Sequence, residues 1–243
     1  MDQFLLGKVS LVTGASRGIG AEIAVNLAEL GSDVVLNYRS KSARAEEVAE
    51  RITMIGRTVL LSKADITVQA ELAAMLLDVK TSFGRIDLLI LNASGGLERG
   101  KAEDYAMSLN RDAQLRTAEL AMSLMPPGAR IVFVTSHWAH FHGTKPVIPE
   151  YEAVAKSKRA GEDALRDCMA KFGEKGISFI VVSGDVIEGT ITPKLLARKS
   201  PRLAEQRATG GAMPTVEEFA AAIVSAAIDV SLPSGHTIFV GSV

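Results

Sequence analysis

Cysteine is almost absent from this sequence of 243 residues, which contains one, and aromatic residues make up only 5%. A single cysteine excludes a disulfide framework and a cysteine-based zinc site, and it is typical of a reducing cytoplasm. No apolar run approaches the roughly 18 residues that a membrane span needs. The N-terminus lacks the basic region and the cleavage pattern of a signal peptide. We therefore expect a cytoplasmic protein that does not enter a membrane.

An excess of charge is also missing, because 27 lysines and arginines oppose 28 aspartates and glutamates, for a formal net charge of −1. This balance provides no overall attraction to nucleic acid or to acidic membranes, so neither is expected as a partner. The length suits one α/β domain with a sizeable core and leaves little room for a second domain. We expect a single domain over residues 1–243.

Short apolar runs rich in β-branched residues alternate with longer stretches of helix-forming composition. Such alternation implies a parallel sheet that helices cover on both faces. Right-handed crossovers then predict an α/β fold: one Rossmann-type, doubly wound parallel sheet of about seven strands. The predicted strands are Lys8–Thr13, Asp33–Asn37, Thr58–Ser62, Ile86–Asn92, Ile131–Thr135, Ile177–Ser183 and His236–Gly241. The predicted helices are Ile19–Leu30, Ala43–Ile55, Gln69–Phe83, Tyr105–Met125, Glu152–Phe172 and Val216–Val230.

Two stretches interrupt this alternation, Ser136–Glu150 and Thr190–Pro214. Both follow predicted strands directly, and ligands of open α/β sheets bind beyond the carboxyl ends of the strands. Long loops in compact domains are usually lids or binding loops, so we predict a substrate lid over residues 190–214. Its basic residues suggest either a site for a phosphorylated or carrier-bound substrate or, more simply, a solvated helix face. They are Lys194, Arg198, Lys199, Arg202 and Arg207.

A glycine-rich loop joins the first predicted strand to the first predicted helix and reads Thr-Gly-Ala-Ser-Arg-Gly-Ile-Gly from Thr13 to Gly20. Glycines at such a turn permit a tight bend, a close approach to phosphate and close packing of helix on strand. The N-terminus of the helix supplies unsatisfied N–H groups and the positive end of its dipole for a pyrophosphate. The strand–loop–helix context is the one that a dinucleotide-binding site requires.

The Thr-Gly-x3-Gly-x-Gly spacing resembles the short-chain dehydrogenase/reductase family, and the resemblance covers essentially the whole chain. Asp65 matches the family's adenine-contacting aspartate, and Asn92–Gly95 resembles its Asn-Ala-Gly segment with a serine inserted. Asn110 falls where the family has its helix-borne active-site asparagine, and Ser136 where it has a catalytic serine. The resemblance is greatest to the 3-oxoacyl-[acyl-carrier-protein] reductase branch. It implies a homotetramer or homodimer.

The end of the second predicted strand decides between the two nicotinamide cofactors. A carboxylate there would bind the ribose 2′-hydroxyl and repel a 2′-phosphate, but residues 37–41 contain no acid. Arg17 and Arg39 can converge on a phosphate, unless both are simply solvated. We therefore expect NADP(H). The predicted cofactor-binding residues are Gly14, Ser16, Arg17, Gly18, Ile19, Gly20, Arg39, Ser40, Asp65, Ile66, Asn92, Ala93, Lys158, Val186 and Thr190.

The catalytic segment departs from the family pattern, in which a lysine follows the catalytic tyrosine by four residues. Tyr151 is followed at that distance by Ala155. Counting back from Gly176 places the family's lysine at Lys158, which puts Val154 at the position of the tyrosine. A phenol needs its pKa moved toward neutrality to exchange protons near pH 7, and a nearby cation does this. The resemblance thus implies Asn110, Ser136, Tyr151 and Lys158 as the catalytic set.

Tyr151 is the tyrosine best placed to act as the acid, since Tyr38 and Tyr105 are predicted near the adenosine end and at a helix start. On a continuous α-helix it would share a face with Lys158, but about 10 Å away along the axis instead of about 6 Å. This distance would weaken the tuning of the tyrosine by the lysine, unless the chain is not yet helical at Tyr151. Lys156 would lie on another face and point to solvent.

Three histidines, His137, His140 and His142, follow Ser136 directly. Three histidines in six residues suggest a metal site, but no regular spacing sets a ligand geometry, and we expect no metal. One of them could act as acid or base in place of a tyrosine, because imidazole titrates near neutrality. The simplest interpretation is that they and Trp138 line the pocket.

The residues together predict an NADPH-dependent oxidoreductase of the short-chain class that transfers a hydride between nicotinamide and a carbonyl or hydroxyl group. The substrate is expected to be a small-molecule ketone or alcohol, including acyl-carrier- or CoA-linked 3-oxoacyl thioesters. The alternative is a catalytically impaired NADP(H)-binding sensor or partner subunit on the same fold. Val154 in the tyrosine position and Asp185 where the family has glycine motivate that alternative.

Overall fold

The computed structural model describes residues 3–97, 104–190 and 212–242, together with residues 193 and 198. Most of the predicted lid, residues 190–214, therefore lies outside the described residues. Across the described part of the chain, no helix combines the length and the apolar character that a bilayer crossing demands.

Seven strands form one parallel sheet in the order β3-β2-β1-β4-β5-β6-β7. The strand order reverses between β1 and β4, which is where an open sheet of this kind forms its ligand crevice. This confirms the predicted Rossmann-type fold and all seven predicted strands. The strands are β1 Val9–Val12, β2 Asp33–Tyr38, β3 Val59–Lys63, β4 Leu88–Leu91, β5 Arg130–Ser136, β6 Ser178–Gly184 and β7 Thr237–Val240.

Helices cover both faces of the sheet, and each face has its own hydrophobic cluster. Alternate residues of the central strands enter opposite clusters, as in β5, where Val132 belongs to one and Phe133 to the other. The helices are α1 Gly18–Glu29, α2 Ser42–Met54, α3 Gln69–Ser82, α4 Tyr105–Met107, α5 Gln114–Ala121, α6 His137–His140, α7 Glu152–Asp167, α8 Met169–Glu174 and α9 Val216–Ile228.

Two predicted helices are wrong in extent. The expected helix Tyr105–Met125 is divided by a π-helical segment, Ser108–Ala113, and its last α-helical residue is Ala121, ahead of the two prolines that follow Met125. The expected helix Glu152–Phe172 is broken at Cys168, where α7 ends and α8 begins.

The stretch Ser136–Glu150, expected to be irregular, contains the short helix α6 directly after β5. Ser136 caps this helix, since its hydroxyl accepts from the backbone N–H of Ala139. A 3₁₀ turn, Pro149–Tyr151, then precedes α7.

Candidate active site

Ser136 and Tyr151 meet beyond the carboxyl end of β5. Ser136 is the last residue of that strand, and Tyr151 ends the 3₁₀ turn before α7. Their hydroxyl oxygens lie 3.2 Å apart and share a hydrogen bond. Tyr151 is buried, with 6% of its surface exposed, and its ring packs against Trp138 at 5.2 Å between centroids. The two hydroxyls form a pair that can hold one carbonyl oxygen between them.

A cavity of about 250 Å³ contains this pair together with Lys158 of α7. Lys158 is buried, and burial lowers the pKa of its ammonium group from 10.5 to about 8. The cavity reaches from the glycine loop to the segment after β6. Its walls are formed by Arg17, Ile19, Asn92, Ser94, Gly95, Leu97, Val134, Thr135, Ser136, Tyr151, Val154, Lys158, Asp185, Ile187, Thr190 and Phe219.

Burial is also the main influence on Tyr151. It raises the pKa of the phenol above its ordinary value, while the hydrogen bond from Ser136 acts in the opposite direction and lowers that pKa. The phenol is therefore protonated near neutral pH, the state that a proton donor needs.

Asn110 lies in the π-helical segment and is almost fully buried, with 1% exposed. Its amide nitrogen donates to the carbonyl of Gly95 at 2.8 Å and to the hydroxyl of Ser157 at 2.9 Å. Its amide oxygen accepts from the Gly95 N–H at 3.2 Å. Asn110 thus joins the loop after β4 to helix α7, and Gly95, not Asn110, is among the described residues that line the cavity.

The three histidines have separate partners. His137 is buried, and its Nδ1 pairs with the Ser183 hydroxyl at 2.8 Å. His140 pairs with the fully buried carboxylate of Glu162 at 2.9 Å, whereas His142 pairs with Glu152 at the surface. Among the described residues, no group of three or more His, Cys, Asp or Glu side chains could hold a metal ion.

The glycine loop has the close contacts that its sequence predicts. A side chain at Gly14, where φ is +67°, would touch the backbone of Ala93 at 3.0 Å. A side chain at Gly20 would lie 2.5 Å from the carbonyl of Gly14, so α1 packs directly on the loop. At Gly18 the space is open, and Arg17, the residue before α1, provides no side-chain cap. The first N–H groups of α1 therefore face an open cradle that suits a pyrophosphate.

A second cavity of about 370 Å³ continues from the first along the carboxyl edge of β1, β2 and β3. Arg17 and Arg39 both line it, and a hydrogen bond links Arg39 to the Tyr105 hydroxyl. The carboxylate of Asp65 lies here too and accepts from Thr67. Most of the predicted cofactor residues line this cavity: Gly14, Ser16, Arg17, Ile19, Gly20, Arg39, Ser40, Asp65, Ile66, Asn92 and Ala93.

Asn92 holds the glycine loop to the end of β4. Its amide donates to the carbonyls of Thr13 and Gly14, and the Thr13 hydroxyl accepts from the N–H groups of Asn92 and Ala93. The predicted residues Asn92 and Ala93 therefore shape the crevice at the point where the two cavities join.

Two of the remaining predicted cofactor residues follow β6, and they line different cavities. Thr190 lines the first cavity, of about 250 Å³, whereas Val186 lines a small cavity of about 40 Å³ beside it, with Ser136, Trp138 and Tyr151. Sequence reasoning missed Phe219 of α9, which lines the same cavity as Ser136 and Tyr151. The signal for it is Gly184, where any side chain would strike the Phe219 ring at 2.6 Å.

The parallel sheet, the open glycine cradle and the two joined cavities define a dinucleotide-binding α/β protein. The chain belongs to the short-chain dehydrogenase family, whose model matches residues 8–199. The family resemblance expected from the sequence is thereby confirmed.

Individual relatives are consistent with this membership. Hydroxynaphthalene reductase arp2 of Aspergillus fumigatus is 37% identical over 180 residues, which cover 71% of this chain and 63% of that protein. The chain thus spans slightly less than two thirds of the length of this relative. A short-chain dehydrogenase from Burkholderia cenocepacia, solved in complex with NADP, has a TM-score of 0.84 at 26% identity and covers 98% of this chain and 97% of its own. The angucycline C-6 ketoreductase LanV with bound NADP has a TM-score of 0.83 at 26% identity, covering 100% and 97%.

Proposed function

We propose that this protein is an NADPH-dependent reductase of the short-chain class that converts a carbonyl group into an alcohol. The observation that carries the proposal is the 3.2 Å contact between the hydroxyls of Ser136 and Tyr151 in a cavity shared with Lys158. The named reductases among the relatives support the same reaction type.

Each side chain has a role that follows from its surroundings. Ser136 orients the carbonyl oxygen, and Tyr151 donates the proton that this oxygen needs as the carbonyl is reduced. Lys158 provides a cation in the same cavity, which stabilises negative charge on the phenol and can bind hydroxyl groups of the cofactor's ribose. Bound NADPH would supply the hydride. Asn110 has an indirect role, because it fixes Gly95 and the position of α7.

The choice of NADP(H) rests on the adenosine end of the crevice. Arg17, Arg39, Ser40 and Lys41 line the second cavity where a 2′-phosphate would lie, and the end of β2 carries no acid. Guanidinium groups bind phosphate through charge and paired donors. The two solved relatives with bound NADP support the same choice.

The alternative is a cofactor-binding protein without turnover. The apolar Val154 at the expected tyrosine position favours it, and the placement of Tyr151 beside Ser136 favours an enzyme. The 3-oxoacyl thioesters implied by the sequence resemblance remain candidate substrates beside aromatic ketones. A homotetramer or homodimer in the cytoplasm remains part of the proposal.

The test is NADPH oxidation by the wild type and by Tyr151→Phe with a panel of ketones, quinones and 3-oxoacyl thioesters. Loss of the proton donor should lower kcat by about a hundredfold or more, with little change in NADPH affinity. Tyr38→Phe is the matched control, because Tyr38 lines the adenosine cavity and should leave kcat unchanged. Unchanged turnover in Tyr151→Phe would remove this residue from the mechanism, and no turnover of any substrate by the wild type would favour the binding protein.

A further inference from the structure

Ser136 and Tyr151, whose hydroxyls form the proposed site, each lead directly into a helix. Ser136 caps α6, which begins at the next residue, and Tyr151 ends the 3₁₀ turn before α7. The two residues lie 15 positions apart along the chain. The 3.2 Å between their hydroxyl oxygens therefore depends on how firmly α6 is held against α7.

A fully buried carboxylate, which the proposed mechanism does not use, joins these two helices. Glu162 of α7 is 0% exposed, and its Oε2 lies 2.9 Å from Nδ1 of His140, the last residue of α6. Burial alone would raise the pKa of this carboxyl, but hydrogen bonds and charge interactions with His140 and Arg166 outweigh it and lower the pKa below its ordinary value. An ionised carboxylate can only accept hydrogen bonds, so Nδ1 of His140 is the donor.

The carboxylate is in turn anchored to the sheet. Its Oε1 accepts from Nε of Arg166 at 2.9 Å. The same guanidinium donates to the carbonyl of Gly235 at 2.8 Å and to the hydroxyl of Thr237 in β7 at 2.7 Å. Glu162 therefore offers α6 an acceptor whose position is fixed by both α7 and β7.

His140 is bound at its backbone as well as at its ring. Its carbonyl accepts from Nη1 of Arg159 at 2.7 Å, and Asp163 pairs with the same guanidinium one turn along α7. The imidazole ring makes T-shaped contacts with Phe141 and Phe239, at 4.9 and 5.1 Å between centroids. Two hydrogen bonds from α7 thus converge on one residue of α6.

His140 and Glu162 do not themselves border the reaction space. Neither lines the cavity of about 250 Å³ that contains Ser136, Tyr151 and Lys158. Their influence on the reaction must pass through the helices, because α6 begins directly after Ser136 and α7 directly after Tyr151. A displacement of about 1 Å at a reacting group can lower a rate by about a hundredfold.

We propose that His140 and Glu162 are a positioning pair, whose hydrogen bond holds α6 against α7 and so keeps the hydroxyls of Ser136 and Tyr151 together. This rests on the proposed function, because it adds two residues to the machinery of the same reaction. Removing the hydrogen bond should slow the transfer of the proton without weakening the binding of NADPH.

The experiment measures kcat and KM for the best ketone substrate, and the Kd for NADPH, in two variants of His140. His140→Leu removes the donor, whereas His140→Asn carries an amide nitrogen one bond from Cγ, as histidine carries Nδ1, and can still donate to Glu162. We expect kcat to fall by about tenfold or more in His140→Leu and to stay within about threefold of the wild type in His140→Asn. The Kd for NADPH should be unchanged in both.

His142→Leu is the matched control, because His142 pairs with Glu152 of the same helix at the surface and should keep the wild-type kcat. A wild-type kcat in folded His140→Leu would overturn the inference, and so would an equal loss in His140→Asn or in His142→Leu. If His140→Leu does not fold, the double variant with Glu162→Met takes its place, since it leaves no buried carboxylate without its partner. A low kcat in that stable protein supports the pair, and a wild-type kcat contradicts it.

Trp138 provides a readout that does not depend on the reaction. It is the single tryptophan of the chain, it lies in α6, and its ring packs against that of Tyr151 at 5.2 Å between centroids. Acrylamide quenching of its fluorescence should increase in His140→Leu and stay at the wild-type level in His140→Asn and His142→Leu. If the wild type reduces no ketone, the proposed function fails, and this measurement decides by itself whether the pair holds α6 against α7. Equal quenching in all four proteins would count against the pair.

Discussion

Lys158 is a buried ammonium group, and its burial destabilises the folded protein. Among the described residues no carboxylate pairs with Lys158, and burial lowers the pKa of this side chain from 10.5 to about 8. Because the folded-state pKa lies below the unfolded value, the folded protein is destabilised by about 3 kcal/mol below pH 8. The destabilisation is relieved as the pH rises from about 8 toward 10.5.

Replacing this charge by an apolar chain of similar length should therefore stabilise the fold. Lys158→Met is expected to raise the free energy of unfolding by about 2–3 kcal/mol at pH 7, and by about half as much at pH 9.5. Urea unfolding at the two pH values measures both differences. The same variant should lose most of the proposed reductase activity, as expected where a site keeps a charge at the expense of stability.

Lys156→Met is the control for that comparison, since Lys156 is exposed on the same helix. Its stability should change by less than about 0.5 kcal/mol at either pH. A Lys158→Met protein that is less stable than the wild type at pH 7 would contradict the interpretation of a destabilising buried charge.

The position of Tyr151 shows why residue spacing alone could not establish which side chains form the site. A tyrosine seven residues before Lys158 lies far along the axis if the helix is continuous. In the structure Tyr151 belongs to a 3₁₀ turn after Pro149, and α7 begins only at Glu152. Proline at the start of a turn is a readable signal, but the resulting contact with Ser136 depends on how the turn packs on β5 and α6. The roles of Ser136, Tyr151 and Lys158 remain predictions.

At the scale of elements, the active site depends on how closely α7 approaches the π-helical segment Ser108–Ala113. Gly161 of α7 lies against the backbone of Asn110, and a side chain at Gly161 would come 2.1 Å from the Asn110 carbonyl oxygen. The contact therefore joins α7, which carries Lys158, to the segment that carries Asn110. A π-helical turn often marks a functional site.

Gly161→Ala should therefore push the two elements apart. We expect the free energy of unfolding to fall by about 1–3 kcal/mol, and kcat to fall by about a hundredfold because Lys158 moves relative to Ser136. Urea unfolding and NADPH oxidation measure the two effects. Equal stability and activity in this variant would show that the contact is not tight.

Gly173→Ala is the matched control, because Gly173 lies in α8 with nothing within 4 Å of the position of its new side chain. Removing a helical glycine there should stabilise the protein by about 0.5–1 kcal/mol and leave kcat unchanged.

The helices and strands also show how much of the fold could be predicted from the sequence. Seven apolar runs bounded by glycine, proline and polar residues predicted every strand to within about two residues, because a sheet buried on both faces demands continuous apolar sequence. The division of Tyr105–Met125 had no such signal, since the π-helical segment lies against Gly161, which is about 50 residues away along the chain. Helix α6 was not predicted, because a helix of four residues carries too little periodicity to be recognised in the sequence.

At the scale of the molecule, the carboxyl edge of one sheet forms two joined cavities of about 250 and 370 Å³. Arg17 lines both of them, with Ser136 and Tyr151 at one end and Arg39 at the other. A dinucleotide bound along this edge would touch the ends of β1, β2, β4 and β5 at once, so binding should stabilise the whole fold and not one loop.

The cofactor should therefore raise the thermal unfolding temperature, and the size of the rise should report its identity. At a hundred times its Kd, NADP should add about 2.7 kcal/mol, or roughly 5–10 °C for a chain of this size, because only the folded protein binds it. NAD at the same concentration should add much less. In Arg39→Asp the order should reverse, since a carboxylate repels a 2′-phosphate and can bind a 2′-hydroxyl. Arg44→Asp is the control, because it makes the same charge change on the exposed face of α2 and should keep the preference for NADP. If the two variants have equal effects, the overall charge of the protein selects the cofactor, and not a phosphate site at Arg39.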